Sequence, residues 1–507
     1  MLSRINTCTV QGIDAVPVCA EVNLTTGLPS FTIVGLAQGA VREGRERVTA
    51  ALANSGFVLP LRRITVNLAP ADQRKSGSGF DLAIALGILL SSGQLQVDSD
   101  LSNTIVLGEL GLDGSLRAVP GVLPAAILAA KKKAHRLIVP AATGAEGRMV
   151  EGLEVWPVTS LRGLVDGLQR GTLLESMSSL ASTSVDVSAP LDLADVRGQA
   201  VARRALEISA AGGHNLLLVG PPGVGKTMLA RRLPSILPSP SPDEAIDIAR
   251  VRSVAGLPSG GRPVRPFRCP HHTISYAGLV GGGNPIRPGE ISLAHRGVLF
   301  LDELGEFDRR ALESLRQPLE EGALTLSRAS GRVALPARFL LVAASNPCPC
   351  GFRGHGSDRC RCDDRDLSRY RARVSGPLID RIDVRVEMSS PKTLPFDRSA
   401  WGEPSAVVRS RVEEARLRQG RRYAEVPGVQ CNAEVRGAML RHTAHPDRPG
   451  RSLLRAWYRD GRASARAVDR ILRVSRTIAD LGGAEQVQEL HVAEALQYRG
   501  LAGLAPD

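Results

Sequence analysis

The stretch that decides the fold is Gly220–Pro221–Pro222–Gly223–Val224–Gly225–Lys226–Thr227. It satisfies G-x-x-x-x-G-K-[ST] at every fixed position. In such a loop the glycines let backbone N–H groups close around phosphate oxygens. The lysine reaches the β- and γ-phosphates, and the Thr227 hydroxyl is placed to ligate Mg²⁺. The flanks agree: residues 215–219 (NLLLV) form an apolar run of buried-strand type, and residues 228–233 (MLARRL), opening with Met228, continue as a helix. Strand, glycine loop and helix together aim the positive end of a helix at an anion. Residues 220–228 are therefore expected to bind ATP with Mg²⁺ inside an α/β core built on a parallel sheet.

Downstream, Val298–Leu299–Phe300–Leu301–Asp302–Glu303 is four apolar residues closed by two acids. This predicts a buried strand delivering two carboxylates at its C-terminal end. Asp302 is expected to hold the Mg²⁺ shell and Glu303 to orient and polarise an attacking water, since phosphoryl transfer depends on positioning and charge neutralisation. Alone, the pattern would also suit a strand followed by a capping acid; about 75 residues after a phosphate loop, it reads as the other half of the site. Residues 340–346 (LLVAASN) are a third apolar strand, ending in the amide of Asn346. Residues 377–383 (PLIDRID) set Arg381 between Asp380 and Asp383, so pairing within the chain is one reading of that arginine.

At 507 residues the chain is too long for one core and should divide into roughly three or four domains. It is 43% hydrophobic and 23% charged, and lacks any apolar run of about 18 residues that could span a bilayer. Without a basic N-terminal segment leading into an apolar one, the expected location is the cytoplasm, with no membrane partner. A net charge of +13 suits a polyanionic partner, but 58 of the 64 basic residues are arginine, a bias that carries no function by itself. Aromatic residues make up 3%, so no base-stacking surface stands out.

Taken in order, residues 1–168 alternate short strands (8–10, 16–24, 30–34, 64–68, 105–107, 137–139) with helical stretches (41–55, 81–90, 124–133), as in a self-contained α/β domain. Residues 169–190, rich in Ser, Thr and small side chains, suit a connector. A nucleotide-binding core spans 191–390. From 391 to 507, helical segments (405–418, 433–440, 452–459, 464–481 and 488–498) dominate. Four of the eight cysteines cluster as C-x-C-x₉-C-x-C: Cys348, Cys350, Cys360 and Cys362. Four thiolates suit tetrahedral Zn²⁺ in a closed, structural site, although the spacing departs from the usual C-x₂₋₄-C and four free thiols remain the alternative. His271 and His272 are adjacent and poorly placed to face one metal. The glycine run 281–283 is expected to be a mobile insert lining a pore.

Residues 74–82 (RKSGSGFDL) and 108–117 (GELGLDGSLR) resemble the Lon protease domain, of ribosomal S5 type, and the related domain of the recombination protein RadA. The resemblance sets the serine nucleophile's position at Gly79 and the lysine base's near Leu123, neither of which can do that chemistry. Ser76, Ser78 and Lys75 stand close by, so a displaced dyad is the alternative to a scaffold. The later motifs resemble AAA+ ATPases of the magnesium-chelatase and MCM branch, and the whole chain resembles the ComM/YifB group of magnesium-chelatase-like proteins. That resemblance implies that residues 192–199 lie beside the adenine and that Asn346 is the γ-phosphate sensor. It also implies that Arg381 is an arginine finger acting on a neighbouring subunit's ATP, that Arg466 is a second sensor, and that the C-terminal helices form a lid. The implied activity is ATP hydrolysis by a homo-hexamer that drives branch migration on branched or single-stranded DNA, with recombination proteins as partners. A metal-insertion motor of chelatase type, an ATP-dependent protease or chaperone, and a nucleotide-gated scaffold are the alternatives.

Overall fold

The structure is a computed structural model and describes residues 1–36, 39–97, 101–170, 191–259, 264–283, 285–328, 331–353, 360–373, 376–389, 402–459 and 464–499. The predicted connector begins inside a helix, Leu161–Arg170, that buries Leu161, Leu164, Val165 and Leu168. The rest of that connector, like residues 391–401 at the predicted start of the C-terminal segment, lies outside the described residues.

The first 170 residues build a seven-stranded sheet. Its strands in chain order are β1 (Leu2–Gln11), β2 (Asp14–Thr25), β3 (Ser30–Val34), β4 (Arg63–Ala69), β5 (Thr104–Val106), β6 (Arg136–Pro140) and β7 (Glu154–Val158). Across the sheet they run β3-β4-β2-β1-β5-β6-β7. Strand β4 shows why one face is core: Ile64, Val66 and Leu68 are buried at period two and the residues between them are not. The helix Asp81–Ser91 (DLAIALGILLS) is apolar all round and correspondingly almost wholly buried.

The central unit is a five-stranded, all-parallel sheet of β8 (Leu216–Val219), β9 (Phe267–Arg268), β10 (Val298–Leu301), β11 (Leu340–Ser345) and β12 (Val384–Glu387), ordered β9-β10-β11-β8-β12. Every residue of β8, β10 and β11 is buried, as strands covered on both faces must be. Alternate residues feed two cores. Leu216, Leu218, Phe300 and Val342 pack with the helix Ala200–Gly212 and the C-terminal helices, whereas Leu217, Leu299, Leu301 and Leu341 pack with Leu279, Leu312, Leu315 and Leu378. Because the strands run parallel, with Val219 opposite Ser345 and Leu301 opposite Ala343, their C-terminal ends meet at one edge.

The C-terminal helices are Ser405–Arg422, Gly437–Thr443, Arg448–Arg459, Ala465–Leu481 and Glu489–Gln497. Two predicted helices differ. The one expected over 433–440 is a single turn, Asn432–Glu434, then extended residues Val435 and Arg436 before the helix Gly437–Thr443. Buried Asn432 fixes that turn, accepting from Tyr423 at 2.8 Å and donating to Asp480 at 2.9 Å. The helix after the phosphate loop stops at Ala230 and restarts as Leu233–Ile236. Pro234 can supply no N–H to the carbonyl four residues back, so a continuous helix would be broken there.

The front unit is not detached from the core. The backbone N–H groups of Gly121 and Leu123 donate to Ser253 O (3.0 Å) and Ser253 Oγ (3.3 Å), and Ser253 Oγ donates to Glu146 at 2.5 Å. Arg250 pairs with Asp14, and Ile13 packs into the core beside the hairpin strand Gly331–Pro336. The glycine run is not a free insert either. Gly281–Gly282 pairs antiparallel with Arg287–Pro288, and a Cβ on Gly281 would come within 2.6 Å of the Arg287 carbonyl oxygen, so the close approach admits only glycine.

Candidate nucleotide site

Strand β8 hands the chain to Gly220, whose N–H donates to Ser345 O at 3.2 Å, tying the loop to β11. Gly223 and Gly225 have φ of 82° and 94°, a region that favours glycine, and a Cβ on either would meet nothing within 4 Å. The loop therefore opens its backbone onto free space, as a phosphate cradle requires. Lys226 begins the helix Lys226–Ala230 and is 9% exposed. Its Nζ donates to Gly220 O (2.6 Å), Pro221 O (2.9 Å) and Asn346 Oδ1 (3.0 Å). Burial pulls its pKa below the ordinary lysine value, opposed by the negative charges of Asp302 and Glu303.

Thr227 Oγ donates to Asp302 Oδ2 at 2.6 Å. Two cis ligands of an octahedral Mg²⁺ with bonds near 2.05 Å stand about 2.9 Å apart, so a small opening of this pair admits the ion. The donors are hard oxygens, which suit Mg²⁺, and the cradle and ammonium suit phosphates. Asp302 Oδ1 accepts from the backbone N–H of Glu303 at 3.0 Å. Glu303 has φ of 53°, unusual for a residue with a side chain, and its carboxylate remains 55% exposed. The turn thus aims Asp302 inward and leaves Glu303 at the open rim, where it can address a water.

Asn346 joins this group because β11 lies next to β8, and Tyr370 steadies it by donating to Asn346 O at 3.2 Å. Met228 follows on the helix and is 39% exposed. Residues 192–199 also arrive here: Gln199 Nε2 donates to Val224 O at 3.3 Å and Ser389 O at 2.7 Å. One participant was not foreseen. His272 Nδ1 lies 3.5 Å from Glu303 Oε2, brought there because β9 is the parallel neighbour of β10. The spacing of His271 and His272 holds no trace of this pairing; only the sheet order reveals it.

Arg381 and Arg466 are not brought to this edge. Both line a cavity of about 840 Å³ that also touches Asn215, Gly297, Leu340 and Asp383, the residues at the N-terminal ends of β8, β10, β11 and β12. The length of β8, about 13 Å at 3.3 Å per residue, separates that edge from the phosphate loop. Arg381 donates to Pro377 O at 2.6 Å and pairs with Glu320. The predicted partners Asp380 and Asp383 instead face Arg470, at 3.9 and 3.6 Å. Arg466 is exposed in the first turn of Ala465–Leu481.

In the front unit, Gly79 and buried Leu123 occupy the positions assigned to nucleophile and base. Ser78 donates to Glu109 and Lys75 to Pro70 O, so these two side chains are engaged elsewhere rather than with each other. Cys348, Cys350, Cys360 and Cys362 do converge, with their sulfurs all within 4.8 Å of one another. Among the described residues no helix is long and apolar enough to cross a membrane.

Three family models match the chain: "Magnesium chelatase, subunit ChlI" over residues 192–394, "Subunit ChlI of Mg-chelatase" over 20–143, and "Magnesium chelatase, subunit ChlI C-terminal" over 402–499. A protein of Mycobacterium tuberculosis is 44% identical over 502 residues, covering 98% of each chain. The competence protein ComM of Haemophilus influenzae is 43% identical over 500 residues, 97% of this chain and 96% of its own. YifB of Escherichia coli is 40% identical over 504 residues, 99% and 97% of the two chains.

Proposed function

The chain belongs to the ComM/YifB family of magnesium-chelatase-like proteins, and from that premise we propose that it is an ATP-hydrolysing AAA+ motor acting on DNA. It works as a homo-hexameric ring in the cytoplasm, moving branched or single-stranded DNA in recombination or transformation, together with recombination proteins. The observation that carries this reading is the division of the site: Lys226, Thr227, Asp302, Glu303 and Asn346 stand at one edge of the parallel sheet, Arg381 and Arg466 at the other. One copy alone cannot bring both groups to one phosphate. In a ring, the arginine edge of each copy faces the phosphate loop of the next.

Each residue then has a task. Lys226 leaves the loop carbonyls for the β- and γ-phosphates, and Thr227 and Asp302 hold Mg²⁺, which neutralises charge on the phosphates when bound. Glu303 orients the attacking water, and Asn346 senses the γ-phosphate. Arg381, released from Glu320, stabilises the charge that spreads over the transferring group, a task suited to a planar and permanently charged fork. Residues 1–168 serve as a Lon-like scaffold without a catalytic dyad, and the C-terminal helices as a lid carrying Arg466.

DNA as the track is supported by the name of the competence-protein relative and by the net charge of +13. The decisive experiment measures ATPase rate with and without forked or four-way DNA, followed by strand exchange on the same substrate. Absence of both stimulation and junction movement overturns the DNA reading. The chelatase descriptions of the three matching models favour a second reading, a metal-insertion motor. ATP-dependent Mg²⁺ insertion into a porphyrin, alongside DNA-independent turnover, would favour it.

A further inference from the structure

Four cysteines stand against the phosphate loop without a part in the chemistry above. Cys348 is fully buried two residues after Asn346, and Cys350, Cys360 and Cys362 close around it, half-buried. The Sγ–Sγ separations are 3.3 Å for Cys348–Cys350, 3.8 Å for Cys348–Cys360 and 3.6 Å for Cys350–Cys360. Four thiolates at 2.3 Å from a tetrahedral Zn²⁺ lie about 3.8 Å apart, whereas a disulfide brings two sulfurs to about 2.05 Å. The spacing is that of a coordination shell, and all four residues are free thiols. Among the described residues the four sulfur donors are joined by neither carboxylate nor imidazole, and such a set selects a soft or borderline cation over Mg²⁺.

We propose that Cys348, Cys350, Cys360 and Cys362 bind one structural Zn²⁺ as four thiolates, and that this knot fastens the Asn346 turn over the phosphate loop. Each ligand gives up its thiol proton to solvent on binding, and no coordination position is left for a substrate. The fastening follows from what lies beside the knot. Gly351, with φ of 85°, donates its N–H to Cys348 O at 3.0 Å. A Cβ on it would stand 2.8 Å from Pro222 Cδ in the phosphate loop, and 3.9 Å from Asn346 Cγ. Asn346 in turn accepts from Lys226. Holding Cys348 and Cys350 therefore holds the residue that faces the lysine. The metal site stands apart from the proposed DNA motor; the fastening rests only on the nucleotide site.

The test uses the full chain purified without chelator. Elemental analysis should find close to one zinc per chain, and cobalt substitution should give the thiolate-to-cobalt absorption and visible bands of a tetrahedral four-sulfur centre. Cys360→Ser with Cys362→Ser removes the less buried pair, and circular dichroism checks that the fold survives. This double variant should lose the zinc and bind a fluorescent ATP analogue roughly tenfold more weakly, as when only about a tenth of the molecules hold a competent loop. Wild-type protein that takes up no zinc from added Zn²⁺, with all four thiols reacting freely, overturns the site. Zinc lost with nucleotide affinity unchanged overturns the fastening. If zinc-loaded wild-type protein binds no nucleotide, the nucleotide reading fails and the metal site stands.

Discussion

Glu303→Gln should separate nucleotide binding from hydrolysis. The side chain is 55% exposed, and its Oε2 faces His272 Nδ1 at 3.5 Å. Gln keeps the shape and tolerates the same backbone, so the loop, the Thr227–Asp302 contact and the fold should survive. What disappears is the proton acceptor and the negative charge that orients water. Positioned acid–base groups contribute about 10²–10⁴ in rate, so the barrier should rise by about 2.7–5.4 kcal/mol at 1.36 kcal/mol per decade. Loss of the His272 contact adds little, since exposed polar contacts of this kind, even between full charges, are worth under about 1 kcal/mol. The assay pairs steady-state phosphate release with equilibrium titration of a fluorescent ATP analogue. A fall of two or more decades in kcat, with affinity held within about a factor of two, is the expected result. A rate near wild type refutes the role given to Glu303, and affinity lost in step with rate refutes its separation from the cradle.

Lys226→Ala removes a charged donor to the phosphates, an interaction worth about 1.5–3 kcal/mol, so calorimetry should find ATP bound roughly 10- to 150-fold more weakly. Arg381→Ala should reduce turnover by about three decades or more while leaving ATP affinity nearly intact. Mixing it with Lys226→Ala should restore part of the activity, because some interfaces then join an intact loop to an intact arginine; a mixture as inactive as its parts refutes action between copies. Asp383 offers a pH test. Burial alone would raise its pKa, but the hydrogen bond with His214 and the charges of Arg473 and Arg470 outweigh that and hold it at about 2. A carboxylate depressed in the fold stabilises the protein above its unfolded pKa and loses that contribution as pH falls through the folded one. Asp383→Asn should therefore destabilise by about 2–3 kcal/mol across pH 5–8, with the gap shrinking below about pH 4, as read by urea unfolding. A gap that widens on acidification contradicts this.

Much of the chemistry was legible residue by residue. Unbroken apolar runs at 216–219, 298–301 and 340–344 announce buried parallel strands, since only strands covered on both faces can be apolar throughout. The glycine loop from Gly220 to Thr227 and the acid pair Asp302–Glu303 at the end of a strand could be read from their spacing, because turn chemistry and side-chain type are local properties. Hydrophobic period does not report which strand lies beside which, or where a surface pairs with another. Sheet order set Asn346 on Lys226 and His272 on Glu303. It also carried Arg381 and Arg466 to the opposite edge, where Glu320 rather than Asp380 or Asp383 meets Arg381. The clustering of four cysteines was legible in their spacing and the fold brings their sulfurs within 4.8 Å, but only tertiary closure pressed Gly351 onto Pro222. It likewise docked the front unit on Ser253. Sequence alone thus determined the phosphate loop, its acids and the parallel core. The tertiary structure decided that Arg381 and Arg466 stand at the sheet edge opposite Lys226 and Asp302, because contacts between distant segments depend on register and packing that no local pattern encodes.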